Sequence, residues 1–278
     1  MAASTPDFKG VYPILPTPFD EQDQLDLESW DRMIHFMADI GCHGVTILGV
    51  LGESNRLLDA ERQALIRRAV QAAGDLPVIV GTSHTGTLAT RDLSRQAEAL
   101  GAKGVMVTPS REPVPSEARI FEFFQQVAEG LTIPIVAQDH PGSSQVNMSV
   151  ELLQRLVNEI PQVACVKQEA PPTPVKMQAL AAGLTRQVPQ LAGLGALYAY
   201  FDLELGGAGF MTGFAFPEVL IAMTQAAHAA QMDAVWALYQ RFLPVIVYEQ
   251  QPGIAVRKEI FRLRGLLKSN RVRHPGSQ

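Results

Sequence analysis

The sequence predicts an α/β protein, a (β/α)8 TIM barrel with a C-terminal three-helix extension. Eight short apolar segments recur along the chain, each followed by a segment with helical periodicity. This pattern indicates alternating β/α units. The apolar segments are continuous, as expected of parallel strands buried on both faces. Eight such units within about 215 residues favour a closed barrel over an open, doubly wound sheet, which is the alternative architecture.

The predicted strands are each followed by glycine, proline or polar residues. They are residues 11–15, 44–48, 77–80, 104–107, 134–137, 163–167, 188–192 and 208–211. Helical spacing predicts helices over 26–40, with Asp26 as N-cap, from Asp59 onwards, and over 90–100, 116–129, 149–159, 174–182 and 197–205. The helices of the extension are predicted over 217–230, 232–249 and 251–268.

No low-complexity linker divides the chain into separate parts. We therefore expect one structural unit, with the barrel in residues 1–216 and the helical extension in residues 217–278 packed on it. The last ten residues, 269–278, carry no helical or strand pattern and are predicted to be frayed.

The composition argues against several classes of protein. The 278 residues carry a net charge of -5 and contain no run of Lys or Arg, so neither nucleic acid nor an anionic membrane is expected as a partner. The apolar stretch 208–223 is broken by glycine, proline and glutamate, which argues against a membrane span. No signal peptide is recognisable, and Cys42 and Cys165 lie in apolar surroundings that are typical of reduced core thiols. These features predict a cytoplasmic protein.

Lys167 is the first candidate for a catalytic residue. It follows four small apolar residues and is the only one of six lysines that falls at the end of a predicted strand. Burial disfavours the charged form of an amine. A neutral amine can attack a carbonyl to give an iminium, the electron sink of Schiff-base enzymes. The alternative is that this lysine simply leaves the strand and extends into solvent.

Further candidates fall at the other strand ends, where barrel active sites form. Asp139 and Glu169 are ionisable and could transfer protons, whereas Gln138 can only form hydrogen bonds. A loop cap or a salt bridge to Arg111 or Lys176 is the alternative role for the two acids. The candidate catalytic residues are Lys167, Gln138, Asp139 and Glu169, and the candidate substrate-binding residues are Thr17, Gly49, Val50, Leu51, Gly193 and Thr212.

Neither a metal nor an organic cofactor is predicted. No group of His, Asp and Glu residues has the spacing of a metal site. The glycine-rich segment 206–209 leads into a predicted strand and does not follow one, so it does not match a phosphate-binding or dinucleotide-binding loop. His84 and His140 are more typical of loop histidines than of catalysts.

Three features of the sequence resemble the dihydrodipicolinate synthase / N-acetylneuraminate lyase superfamily. They are the segment Gly49-Val50-Leu51-Gly52-Glu53-Ser54, the pair Pro141-Gly142, and Lys167. The resemblance extends over nearly the whole chain. It implies a class I enzyme, usually a tetramer, in which Lys167 forms a Schiff base with pyruvate or a related 2-keto acid. It also implies that residues 49–52 hold the keto-acid carboxylate, because glycines let backbone N–H groups approach an anion closely. The alternative is a turn that only packs against the barrel rim.

The sequence departs from this superfamily in its proton relay. Val50 and Leu51 stand where the turn normally carries two hydroxyl residues, and Gln138 stands in place of the usual tyrosine. An acidic pair after the seventh strand is replaced by Leu194 and Gly195. These departures argue against strict dihydrodipicolinate synthesis and against sialic acid cleavage, which shares the tyrosine.

The sequence therefore predicts a class I Schiff-base lyase, either an aldolase or a dehydratase, that acts on pyruvate or a related 2-keto acid through Lys167. The expected partner is this small-molecule substrate, and the expected assembly is a homo-oligomer, a dimer or a tetramer. The alternative is a barrel that binds a small acid without turnover, since the relay is missing while the lysine is kept.

Overall fold

Eight parallel strands form the predicted barrel. The computed structural model describes residues 6–251 and 253–276. Its strands are β1 (Gly10–Val11), β2 (Val45–Ile47), β3 (Val78–Gly81), β4 (Gly104–Val107), β5 (Ile135–Asp139), β6 (Val163–Gln168), β7 (Gln190–Ala192) and β8 (Gly209–Phe210). They pair in the order β1-β8-β7-β6-β5-β4-β3-β2. A parallel bridge between Ile14 and Thr46 joins the segment after β1 to β2 and closes the barrel.

The first strand is shorter than the predicted segment 11–15. Pro13 has no N–H to donate, so regular pairing stops before it. The pairing of β1 with β8 also depends on glycine, because a Cβ at Gly209 would lie 1.9 Å from the carbonyl oxygen of Gly10. The two strands approach each other closely only because residue 209 has no side chain.

The helices lie close to their predicted positions. They are α1 (Leu27–Asp39), α2 (Asp59–Ala73), α3 (Thr87–Ala99), α4 (Glu117–Ala128), α5 (Pro141–Ser144), α6 (Val150–Glu159), α7 (Thr173–Ala182), α8 (Ala199–Glu204), α9 (Pro217–His228), α10 (Met232–Gln250) and α11 (Ile254–Leu263). Asp26 caps α1 as predicted, since its side chain accepts a hydrogen bond from Ser29 N. The last helix ends at Leu263, before the predicted residue 268, because Gly265 adopts a positive φ of 75°.

The hydrophobic core has two layers. One layer fills the space between the sheet and the surrounding helices. The second fills the barrel interior, and its buried members are Phe8, Tyr12, Ile14, Ile79, Met106, Val136, Cys165, Leu191 and Met211. Successive residues of a strand point to opposite faces. A residue two positions after a member of the inner layer therefore also points into the barrel, nearer to its carboxyl end.

Both cysteines are buried free thiols, in agreement with the prediction of core cysteines. Burial raises the pKa of Cys42 to about 12, and burial also raises the pKa of Cys165. Both thiols therefore stay protonated near neutral pH, which makes them poor nucleophiles.

The C-terminal helices pack on the barrel. Helix α9 packs against β1 and β8, in the place of the helix that follows the eighth strand, and α10 packs against α8 and α9. Helices α10 and α11 therefore extend the chain beyond the eight β/α units. Within residues 6–251 and 253–276, no helix has both the length and the apolarity needed to cross a bilayer.

The prediction that the chain is frayed after residue 268 is wrong for residues 269–276. Arg271 pairs with Asp23 at 2.6 Å, and Arg273 pairs with Glu61 at 2.7 Å. Val272, which lies between the two arginines, is buried. These partners lie more than 200 residues away in the sequence, so the local pattern of the tail carries no signal for its docking.

The tail also reaches Glu53, a buried residue at the rim of the barrel. The Glu53 carboxylate accepts hydrogen bonds from Arg273 N at 2.9 Å, from Arg56 at 2.9 Å and from the buried amine of Lys258. Glu53 itself has a left-handed backbone conformation with φ of 52°. Residues from α11 and the tail thus stabilise an otherwise unfavourable conformation next to residues 49–52.

Asp202 on α8 supports a prediction about stability. Its carboxyl is buried and accepts a hydrogen bond from Thr173 Oγ1 at 2.7 Å, and burial raises its pKa from 3.8 to about 7. Because the folded state holds this proton more tightly than the unfolded chain, its stabilising effect is complete below pH 3.8 and is lost as the pH rises through 7. Asp202→Asn removes this titration. Between pH 5 and pH 8 the free energy of unfolding of wild type should therefore fall by about 3 kcal/mol relative to that of the variant. Urea denaturation at both pH values measures the free energies of unfolding of wild type and variant. The same difference between the two proteins at pH 5 and at pH 8 would contradict the prediction.

Candidate active site

Lys167 lies in the mouth of the barrel at the carboxyl end of β6. Cys165, two residues earlier, belongs to the inner core layer, so alternation turns Lys167 to the inside as well. Lys167 pairs in register with Gln138 on β5 and with Leu191 on β7. Its exposed fraction is only 2%. The lysine therefore does not extend into solvent, which was the alternative.

A carboxylate contacts this lysine directly. Lys167 Nζ lies 2.9 Å from Glu169 Oε2, and Gln138 Nε2 donates a hydrogen bond to the same oxygen at 2.6 Å. The other carboxylate oxygen of Glu169 accepts a hydrogen bond from Leu194 N at 3.1 Å. The sequence had suggested apolar surroundings for the amine, but a carboxylate and an amide lie next to it. Three of the four candidate catalytic residues, Lys167, Gln138 and Glu169, thus meet at one point.

The protonation of Glu169 follows from these contacts. Burial alone would raise the pKa of Glu169, but the charges of Lys167 and His140 and the hydrogen bonds from Lys167 and Gln138 hold it below its usual value. Glu169 is therefore an ionised carboxylate at neutral pH, and its charge is balanced inside the protein by the neighbouring lysine.

Gly193 provides the space that Glu169 occupies. A Cβ at residue 193 would lie 2.2 Å from Cγ and 2.4 Å from Oε1 of Glu169. Both distances are shorter than any van der Waals contact, so a larger residue would force the carboxylate to move. Gly193 therefore serves the site indirectly, by positioning Glu169.

Gly193→Ala should consequently displace Glu169. Because Glu169 is a candidate catalytic residue and an ångström-scale displacement of such a group costs about 100-fold, the rate of turnover should fall by about that factor. Circular dichroism and thermal unfolding would show whether the barrel is still intact. Gly86→Ala is the matched control, since a Cβ there meets no atom closer than 3.8 Å. Wild-type turnover in Gly193→Ala would show that the position of Glu169 does not matter.

His140 also lies at the mouth, although the sequence pattern favoured a loop role. Its Nδ1 lies 3.9 Å from Glu169 Oε2 and 2.7 Å from the hydroxyl of Ser143. Burial lowers the pKa of His140, against the opposing effect of Glu169. The imidazole is therefore neutral at pH 7 and can either donate or accept a proton.

The segment that follows β2 forms the opposite side of the mouth. Residues Val50–Gly52 form a short 3-10 helix, and the first N–H groups of such a turn have no acceptor within it. Thr17 Oγ1 donates a hydrogen bond to Gly52 O at 2.6 Å. The side chain of Leu51 packs against Gly213, where a Cβ would lie 1.9 Å from Leu51 Cδ1. Thr17 thus holds the turn through Gly52, and the absence of a side chain at Gly213 leaves space for Leu51.

Asp139 lies on the other face of β5 from Gln138. It is fully buried, and its Oδ2 lies 2.6 Å from Lys176 Nζ on α7. Asp139 does not line the cavity at Lys167. It forms the salt bridge to Lys176 that was its alternative role. His84 is exposed and lies outside the cavity as well.

The side chains around Lys167 line a cavity of about 120 Å³. Its lining residues are Ile14, Val50, Leu51, Gln138, His140, Lys167, Glu169, Leu194, Gly195, Thr212, Gly213, Gln250 and Arg257. Thr212 is held in place by a hydrogen bond that its Oγ1 accepts from Gly195 N at 2.7 Å. The cavity is mostly apolar near the turn and polar around the lysine.

Sequence reasoning did not identify Gln250 and Arg257 as members of this cavity. Both come from the C-terminal extension, more than 80 residues beyond Lys167. A signal did exist in the charge pattern, because Arg257 is a cation within an otherwise apolar helical face. Only the packing of α10 and α11 against the barrel brings the two residues to the mouth.

Comparison with known proteins identifies the family. A model of the dihydrodipicolinate synthetase family matches residues 7–278. The chain is 38% identical over 282 residues to an L-2-keto-3-deoxyarabonate dehydratase of Azospirillum brasilense, which covers 99% of this chain and 90% of that protein. It is 28% identical over 264 residues to 4-hydroxy-tetrahydrodipicolinate synthase 1 of Halalkalibacterium halodurans, covering 90% of this chain and 85% of that one.

Solved structures agree with this assignment. The crystal structure of dihydrodipicolinate synthase from Rhodopseudomonas palustris superposes with a TM-score of 0.95 at 36% identity, covering 100% of this chain and 95% of that one. YagE, a member of the dihydrodipicolinic acid synthase family from E. coli K12 solved in complex with pyruvate, superposes with a TM-score of 0.89 at 26% identity, covering 97% and 93% of the two chains. The protein is thus a (β/α)8-barrel lyase. It belongs to the dihydrodipicolinate synthetase family.

Proposed function

We propose that the protein is a Schiff-base dehydratase that acts on a short 2-keto-3-deoxy sugar acid through Lys167. The observation that carries this proposal is the buried contact of Lys167 Nζ with the Glu169 carboxylate at 2.9 Å, inside a small cavity at the carboxyl end of the barrel. The similarity over 99% of the chain to an L-2-keto-3-deoxyarabonate dehydratase supports the choice of reaction and of substrate class.

The reaction begins at C2 of the keto acid. Lys167 loses a proton to the adjacent Glu169, and its amine adds to the C2 carbonyl. Glu169 then returns this proton to the hydroxyl of the resulting carbinolamine, which leaves as water. An iminium between Nζ and C2 remains, and Glu169 is again a carboxylate. This cation forms where the Glu169 carboxylate already lies 2.9 Å from Nζ. A carboxylate fixed beside developing positive charge stabilises it without further rearrangement.

Elimination follows at C3 and C4. The iminium withdraws electrons from C3, so a C3–H bond breaks and its electrons form an enamine. The C4–O bond then breaks, the hydroxyl takes up a proton and leaves as water, and a C3–C4 double bond remains. Glu169 and neutral His140 are the two groups in the cavity that can move these protons. They replace the usual tyrosine of the superfamily, whose position is occupied by Gln138 in this chain.

The carboxylate of the substrate binds to the turn at residues 49–52. Backbone N–H groups of Val50 and Leu51 head this turn, and they can donate to an anion without any side-chain hydroxyl. The apolar side chain of Leu51 covers the adjacent wall against Gly213. Gly52 supports the turn through two hydrogen bonds, since its N–H donates to Gly49 O at 2.9 Å and its carbonyl oxygen accepts from Thr17. Thr212 accepts a hydrogen bond from Gly195 N on the opposite wall.

We also propose that the protein acts in the cytoplasm, as a homo-oligomer, and without a metal or organic cofactor. Exposed aromatic side chains on α8 and α10 support self-association, since Phe201 and Trp236 are each 40% exposed and contact one another. Contiguous exposed apolar surface of this kind is typical of an interface. Light scattering of the purified protein would give a dimeric or tetrameric mass, whereas a monomeric mass would overturn this part of the proposal.

Reductive trapping tests the central step. Incubation with pyruvate and sodium borohydride should convert the iminium to a stable secondary amine, and intact-mass spectrometry should detect one pyruvate-sized adduct per chain at Lys167. Incubation with a 2-keto-3-deoxy pentonate should then yield the dehydrated product. Release of pyruvate from that substrate would indicate an aldolase. If borohydride traps no adduct with pyruvate or with the 2-keto-3-deoxy pentonate, the Schiff-base proposal is overturned and a barrel that binds a small acid without turnover is favoured.

A further inference from the structure

We propose that Arg257 determines substrate specificity by donating hydrogen bonds to the terminal hydroxyl of the substrate, at the end of the molecule farthest from its carboxylate. This inference rests on the proposed function, because it assumes that a 2-keto acid is attached to Lys167. Arg257 belongs to α11, in the C-terminal extension, yet it lines the same cavity as Lys167.

The orientation of the guanidinium is fixed by Glu249. Arg257 Nε lies 2.9 Å from Glu249 Oε2, and both side chains are nearly inaccessible, with exposed fractions of 7% and 0%. The second oxygen of Glu249 accepts a hydrogen bond from Ala215 N at 3.2 Å. The carboxylate thus engages one edge of the guanidinium. Within residues 6–251 and 253–276, no hydrogen bond satisfies its two Nη groups.

These Nη groups face the wall of the cavity that follows β7. A Cβ at Gly195 would lie 2.8 Å from Arg257 Nη2 and 2.2 Å from Gln250 Nε2. Gly195 also has a positive φ of 61°, a conformation that glycine adopts at little cost. The absence of a side chain at this position lets the guanidinium approach the cavity between Leu194 and Thr212, which both line it.

Charge balance selects the kind of oxygen that this site accepts. Two ion pairs, Lys167 with Glu169 and Arg257 with Glu249, each bring one positive and one negative charge into the buried region. A second substrate carboxylate would add a negative charge that has no buried counterion, which is costly. A neutral hydroxyl can accept from the free Nη groups without this cost. The site therefore favours 2-keto acids with a terminal hydroxyl over 2-keto dicarboxylic acids.

The test compares two substrates that differ in a single hydroxyl. Wild type should turn over 2-keto-4,5-dihydroxypentanoate with a kcat/KM about 10-fold to 100-fold higher than that for 2-keto-4-hydroxypentanoate, which lacks the terminal oxygen, because hydrogen bonds from charged donors are worth about that factor. In Arg257→Met this ratio should fall to near one. Arg262→Met, on the same helix but exposed and paired with Glu259, is the matched control and should keep the wild-type ratio.

The outcomes separate this inference from the proposed function. Because Arg257→Met leaves Glu249 unpaired, the double variant Glu249→Gln/Arg257→Met provides a second test in which no buried charge is orphaned. If wild type forms the pyruvate adduct but does not discriminate between the two substrates, or if both variants keep the wild-type ratio, the role of Arg257 is refuted and the Schiff-base function stands. If wild type forms no borohydride adduct with pyruvate or with the 2-keto-3-deoxy pentonate, the proposed Schiff-base function itself is refuted.

Discussion

Lys167→Ala should reduce turnover of a 2-keto acid by at least about 10⁴-fold, because removing the nucleophile of a covalent mechanism removes the pathway itself. The borohydride adduct should disappear in the same variant. Lys103→Ala is a suitable control, since Lys103 precedes β4 at the amino end of the barrel and should leave the adduct intact.

The Lys167→Ala variant has one complication that a second variant resolves. Loss of the amine leaves the Glu169 carboxylate buried without its counterion, which destabilises a protein by about 3–5 kcal/mol. Lys167→Ala/Glu169→Gln removes both charges and should recover much of that stability while remaining inactive. Significant activity in the double variant would show that Lys167 is not the nucleophile.

Glu169→Gln should lower kcat by about 10²-fold to 10⁴-fold, the range that general acid–base catalysis contributes. Glutamine keeps the shape of the side chain and can still contact Lys167, but it can neither take up the proton of the amine nor balance the charge of the iminium. Pre-steady-state trapping would show slower formation of the adduct. Adduct formation at the wild-type rate would exclude Glu169 from proton transfer in this step.

The pH dependence gives Glu169→Gln a second measurement. The folded protein lowers the pKa of Glu169 below its usual value of 4.5, so the stabilisation from its ionised form is complete above pH 4.5 and is lost as the pH falls through the lower, folded-state pKa. Wild type should therefore lose both stability and activity on the acidic side of pH 4.5. Glu169→Gln has no carboxylate to protonate at this position, so its stability should fall less than that of wild type below pH 4.5.

The barrel could be predicted because its signals are local. Strands buried on both faces must be continuously apolar, and β4 matches its predicted bounds. Lys167 was recognisable for the same reason, as a cation at the end of an apolar strand. Alternation along β5 and β6 then placed Gln138 and Glu169 beside it. The resemblance to a known superfamily added the proposed role of Lys167 as a nucleophile, which a strand pattern alone does not supply.

The remaining features depend on contacts between distant segments. Asp139 follows Gln138 directly, yet β5 continues through it and turns its carboxyl to Lys176 on the outer face. Arg257 enters the cavity because α11 folds back over the barrel mouth. The docking of residues 269–276 depends on acidic partners near the other end of the chain. Alternation along β5 turns Asp139 away from Gln138, but no local periodicity encodes the entry of Arg257 into the cavity or the docking of the tail.

The contact of the C-terminal tail with Glu53 has a consequence for the order in which the protein matures. A ribosome synthesises the amino end first, so residues 49–53 emerge more than 200 residues before Arg273. The rim at Glu53, next to the proposed carboxylate-binding turn, can gain its hydrogen bond from Arg273 N only after Arg273 has left the exit tunnel. The nascent chain can therefore form most of its barrel before Arg273 is able to complete the hydrogen bonds of Glu53.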